Sequence, residues 1–144
     1  MDVVKEISSR YVDEKLIKQS ETINFNDFPG YMRAAIKNMQ QFIKENSALV
    51  KAMTSAALHD DEIAEGLRKD EIKDYISISE LFGRFVGVDI DDKNSLELLI
   101  DWGIMVKGII LYSTIYPMAL RGEEALTDLL TDLSLKIWGY RKKP

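Results

Sequence analysis

The sequence predicts an all-α domain, an antiparallel bundle of about six helices, on three observations. Hydrophobic residues recur in steps of three and four along most of the chain, the spacing of one helix face. Three prolines and eight glycines are few punctuating residues for 144 positions. The dipeptides Asn-Gly and Asp-Gly, strong hairpin signals, do not occur.

The first helix is expected over residues 2–18, with Val4, Ile7 and Tyr11 on one face and Lys5, Arg10, Asp13, Glu14 and Lys15 mostly outside. A polar linker over 19–26 leads to a second helix starting near Asp27. The Asp27 side chain can accept from N–H groups that lack a helical partner, and Pro29 takes an early position that needs no donor. Phe28, Met32, Ile36, Met39 and Ile43, joined by Ala35 and Phe42, make a wide apolar stripe, and Arg33, Lys37, Gln40 and Lys44 are expected to face water. Glu45-Asn46-Ser47 interrupts the pattern, and Ser47 can cap a third helix carrying Leu49, Val50, Met53 and Leu58.

A short acidic-fronted helix over 60–67 follows, then a longer one over 70–86 presenting Ile72, Tyr75, Ile76, Phe82 and Phe85. Residues 75–79 also alternate with period two, so a strand is the alternative there, although both flanks keep helical spacing. Residues 87–93 read as a turn. Asn94-Ser95-Leu96-Glu97 then has the spacing of a capping box, in which Asn94 and Glu97 satisfy each other's backbone donors. The long helix starting there places Glu97 and Asp101 near its positive end and has no charge between Lys107 and Arg121. Its second half therefore has no watery face. In the last helix, over 123–140, Leu126, Leu130, Leu133 and Ile137 step by four, three and four, which is seam spacing.

Residues 1–144 suit one domain, with 46% hydrophobic and 30% charged residues, far from the composition of disordered chains. The absence of cysteine excludes a disulfide framework, a thiolate nucleophile and cysteine-held zinc, and fits a reducing cytoplasm. The charged start, Met1-Asp2-Val3-Val4-Lys5-Glu6, has no apolar core of a secretory signal. The longest uncharged stretch, Gly108 to Leu120, falls short of the roughly 20 residues a membrane-spanning helix needs. A net charge of −5 with scattered Lys and Arg argues against tight nucleic-acid binding by this chain.

On the long helix, Ile104, Gly108, Leu111, Ile115 and Met118 share one face, while Trp102, Met105, Ile109, Tyr112 and Tyr116 share another, roughly 120° away. Two apolar faces need two partners. One is the chain's own core; the other is expected to meet a second copy in a two-fold homodimer, with Gly108 allowing close approach and Leu126, Leu130, Leu133 and Ile137 joining the interface. A fully wrapped central helix in a monomer is the alternative. The second face, together with Tyr31, Met32, Met39, Tyr75, Phe82 and Phe85, groups large rings and adaptable thioethers suited to a pocket for a small apolar effector. The same side chains can instead simply fill a core.

The segment Phe28-Pro29-Gly30-Tyr31-Met32-Arg33 through Glu45-Asn46-Ser47-Ala48-Leu49, the helix Leu98 to Leu120 with its internal Gly108, and the closing amphipathic helix together resemble the C-terminal regulatory domain of TetR-family transcriptional regulators. The resemblance covers nearly the whole chain and is one of pattern and order. It implies a two-fold dimer held by the last two helices, residues 94–140, and an effector pocket among the middle helices. It also implies that residues 2–18 match the helix joining that domain to a DNA-binding head. The head's helix-turn-helix signature is missing, so a truncated regulatory domain is expected, a natural headless antagonist being the alternative. Through the joining helix, an effector would change the separation of two heads that must match half-sites about 34–36 Å apart.

No catalytic constellation emerges, and an enzyme is not expected. His59 stands alone beside Asp60, Asp61 and Glu62, which suits a helix boundary. No Glu-x-x-His pair offers a di-metal site. The run Asp89, Asp91, Asp92, Asn94, Glu97 fails the calcium-loop pattern, with Lys93 at the fifth position and Ile100 where a bidentate acid belongs. Gly83 and Gly87 form no dinucleotide fingerprint. Glu97 and Asp101 share a face without an apolar setting to separate their pKa values. No cofactor is expected.

Overall fold

The computed structural model describes residues 23–88, 95–115 and 122–141, apart from the side chains of Ser79, Ser95, Leu96, Thr114 and Ile115. Among them are five α-helices and no strand: α1 (Phe28–Glu45), α2 (Ser47–His59), α3 (Asp61–Phe82), α4 (Ser95–Ile115) and α5 (Glu123–Ile137). The protein is all-α. The expected helix over 2–18 and the Asn94 half of the capping box lie outside the described residues.

α1 begins as its sequence dictates. The Asp27 carboxylate accepts from the Gly30 N–H at 3.0 Å, and Pro29 occupies the first turn. Phe28, Met32, Ile36, Gln40 and Ile43 are its buried stripe. Gln40, expected in water, is 6% exposed because α5 covers that side; its Oε1 accepts from the Thr127 hydroxyl at 2.6 Å. Asn46 ends the helix with both its backbone N–H and its side-chain amide donating to the Phe42 carbonyl at 3.0 Å. Asn46, not Ser47, therefore stands at the α2 cap position, and its side chain is spent backwards on α1.

The two helices expected over 60–67 and 70–86 are one, α3, capped by the Asp60 carboxylate, which accepts from Glu62 N–H at 2.9 Å. Arg68-Lys69-Asp70 interrupts the apolar pattern but not the backbone, since none of the three residues disfavours a helix strongly. Residues 75–79 are helical, not a strand. The helix stops at Phe82, four residues earlier than expected, and the turn that follows tucks Phe85 into the core. Val86 N–H donates to the Phe25 carbonyl at 2.9 Å, and Gly87, at φ 87°, accepts from Arg141 N–H at 3.2 Å. That positive φ is a conformation glycine adopts without strain.

α5 ends three residues short of expectation, in a Schellman motif: Gly139 at φ 65°, Tyr140 N–H on the Leu135 carbonyl at 2.9 Å and Gly139 N–H on Lys136 at 3.1 Å. The turn delivers Tyr140 onto Phe28, ring centroids 5.8 Å apart. Rising numbers on α1 meet falling numbers on α5, as Arg33 pairs with Asp128 and Glu124 and Lys44 with Glu123, so these helices run antiparallel. α3 and α4 do likewise, with Glu71 on Lys107 and Phe82 on Trp102. α4 is central, packing against α1, α3 and α5 through Leu99, Trp102, Val106 and Ile110. One end of the bundle is an aromatic cluster in which Phe82 touches Phe28, Trp102 and Trp138 edge to face at 5.3, 5.7 and 4.9 Å.

Candidate ligand cleft

Away from the aromatic cluster the packing opens. A half-open cleft of about 900 Å³ lies among α1, α2, α3 and α4. α1 contributes Met39, Phe42 and Ile43; α2 contributes Val50, Met53, Thr54, Ala57 and Leu58. Opposite them stand Ala64, Leu67 and Tyr75 of α3 and Gly103, Ile104, Gly108 and Leu111 of α4. The volume is in the range of small-molecule sites, and the lining is mostly apolar.

The cleft exists because α2 does not collapse into the core. It buries none of its residues, although its sequence is rich in Leu, Val, Met and Ala. Asn46 at φ −117° and Asp60 at φ −141° flank it, so α2 leaves the bundle and returns as a wall, not as a core helix. Leu58 is 78% exposed and Ile104 65%, apolar side chains on two walls of the cleft.

The polar part of the site is a crossing between α3 and α4. Lys107 Nζ reaches Glu71 Oε1 at 2.8 Å and lies 5.1 Å from the centroid of the Tyr75 ring, an ion pair backed by a cation–π contact. Desolvation works to lower the pKa of Lys107, but its contacts with Tyr75 and Glu71 outweigh that and the net direction is up. Burial pushes the Tyr75 phenol up, with Lys107 acting against it and Glu71 with it. Lys107 is therefore an ammonium and Tyr75 a neutral phenol across the physiological range. Gly103 makes room for the ring: a Cβ there would overlap the Tyr75 hydroxyl and its ring carbon. Arg68, Lys73, Asp70 and Asp74 complete the charged border.

Of the residues the sequence assigns to an effector pocket, Met39 and Tyr75 line this cleft. Met32, Phe82, Phe85 and Trp102 are buried in the core, Met105 and Ile109 are half-buried against it, and Tyr112 is 66% exposed. The residues assigned to a subunit seam divide as well. Ile104, Gly108 and Leu111 line the cleft; Leu130 is buried, Leu126 and Ile137 pack against the core of the same chain, and Leu133 is half-buried. Met118 and the side chain of Ile115 lie outside the described residues. Sequence reasoning passed over Val50, Met53 and Leu58 as cleft residues and Lys107 as its polar anchor. A lone lysine inside an apolar helix is the signal that points to the latter.

Among the described residues no group of three or more His, Asp or Glu could hold a metal ion, and no helix is long and apolar enough to cross a membrane. Comparison of the chain with family models, curated proteins and solved structures finds no match in any of the three. The fold and the cleft therefore define a class only: an all-α domain with one helix held off its core over an apolar cavity.

Proposed function

We propose that this chain is a small-molecule sensor domain that takes an apolar effector into the cleft under α2, as the resemblance to the regulatory domain of TetR-type transcriptional regulators implies. The observation that carries the proposal is α2 itself, an apolar helix with no buried residue facing a cavity of about 900 Å³. A ligand there supplies the apolar cover that α2 lacks, and each buried methylene contributes roughly 0.8 kcal/mol. Because the ligand touches α2 and α4 together, it favours one spacing of the two over others, and only such differential binding can transmit a signal. In a TetR-type regulator that signal controls a DNA-binding head.

Homodimerisation belongs to the same proposal. Ile104, Gly108 and Leu111 face the cleft, so the surface of α4 left for a second copy is the one around the exposed Tyr112. A second reading, a helical interaction module that antagonises an intact regulator by heterodimerisation, draws on the same exposed apolar side chains. The full chain melted with increasing 1-decanol separates the two. A sensor gains melting temperature in step with decanol concentration by binding linkage, whereas no rise with decanol and other apolar compounds rejects the sensor.

A further inference from the structure

The charges at the mouth of the cleft are not evenly engaged. Glu71 is held by Lys107 at 2.8 Å, and neither Asp70 nor Asp74 is without an interaction of its own. Among the described residues, the one ion pair of Arg68 runs from its Nε to Glu65 at 3.8 Å, which leaves the terminal guanidinium fork uncommitted. Lys73, also on the border, makes no ion pair among the described residues. Among the described residues, each acid on the border is engaged, and the two groups with capacity to spare are cations.

From this imbalance we infer that the ligand of the cleft is an apolar molecule ending in a carboxylate, with the Arg68 fork as its anchor. Arg68 lies one turn before Glu71 on α3, so a carboxylate on its fork sits beside the Glu71–Lys107 pair while the apolar body runs between Met53 and Ile104. A planar guanidinium takes a carboxylate through two parallel hydrogen bonds, stronger and more directional than a neutral contact. An amine-ended ligand finds no unpaired acid there, and it would have to displace Lys107 from Glu71. This inference rests on the cleft being a ligand site, and it adds the chemistry of the ligand's polar end.

The test compares decanoate, 1-decanol and decylamine, each below its aggregation concentration, by calorimetric titration of the full chain and of Arg68→Gln. Arg68 is largely exposed, so the variant keeps the fold. Decanoate is expected to bind about tenfold more tightly than decanol, to lose about that factor in Arg68→Gln, and to weaken with added salt, while decanol responds to neither. Equal affinities for decanoate and decanol, tighter binding of decylamine, or decanoate binding indifferent to Arg68→Gln would overturn the carboxylate and leave the cleft a neutral site. Failure of all three probes to bind would overturn the ligand site and the carboxylate together.

Discussion

The indole N–H of Trp102 donates to the hydroxyl of Ser134 at 2.8 Å, a buried bond that ties the central helix α4 to α5. It belongs to a stripe of small hydroxyl residues, Thr127, Thr131 and Ser134, on the buried side of α5. Each hydroxyl is satisfied: Thr131 donates to the Thr127 carbonyl at 2.7 Å and Thr127 to Gln40 at 2.6 Å. Ser134→Ala removes the acceptor and leaves the indole N–H buried without a partner, a loss of about 1–3 kcal/mol. Urea unfolding followed by tryptophan fluorescence measures it, and an unchanged midpoint would show that the bond is not formed.

Gly103 and Tyr75 meet where α3 crosses α4, with no room for a side chain at position 103. Gly103→Ala places a methyl where the Tyr75 ring now lies, so stability is expected to fall by roughly 1–3 kcal/mol, the usual range for overpacking. In a Tyr75→Ala background the same substitution should cost much less, since the ring is gone. A double-mutant cycle checks this, and additive losses would contradict the contact.

Burial against Phe82 and Phe85 pushes the Tyr31 phenol up to about 12 from its usual value of 10.0. The folded state therefore keeps a proton that the unfolded chain releases above pH 10.0, so the contribution is whole below that pH and is lost as pH rises toward about 12. Tyr31→Phe cannot ionise and should flatten that part of the alkaline decline in melting temperature. Identical declines in the two proteins between those pH values would remove Tyr31 as a cause.

How much of this was legible in the sequence depended on how local the cause was. The start of α1 at Asp27 and Pro29, its break at Asn46 and the apolar character of α4 all follow from neighbours a few residues apart. The fusion of α3 across Arg68-Lys69-Asp70 was missed because a change of exposure looks like a change of backbone when only polarity is read. Gln40 was placed in water because its partner Thr127 lies 87 positions away. The cleft was hidden for the same reason: Lys107 and Glu71 are 36 positions apart, and α2 carries the composition of a core helix while burying nothing. Tertiary placement, not propensity, decides which apolar stripe is core and which is wall.

Tyr112 lies exposed on α4, in the stretch after Lys107 that carries no charged residue. A second copy covering this surface would bury it, and Tyr112→Arg would then set two cations into the interface. Sedimentation is expected to show self-association in the parent chain, weakened at least tenfold by the substitution, in line with the large cost of burying an unpaired charge. A profile that does not move would reject this face as the seam.

The site under α2 is tested most directly by methyl NMR of the full chain titrated with 1-decanol. Met53, Leu58, Ile104 and Leu111 line the cleft and should shift in saturable fashion, while Leu130, buried in the core, should not. Gly108→Leu, whose new side chain starts in open space on the cleft wall, should leave the spectrum folded and weaken those shifts by taking up part of the cavity. Shifts that avoid these four residues, or that persist unchanged in Gly108→Leu, would contradict a ligand site beneath α2.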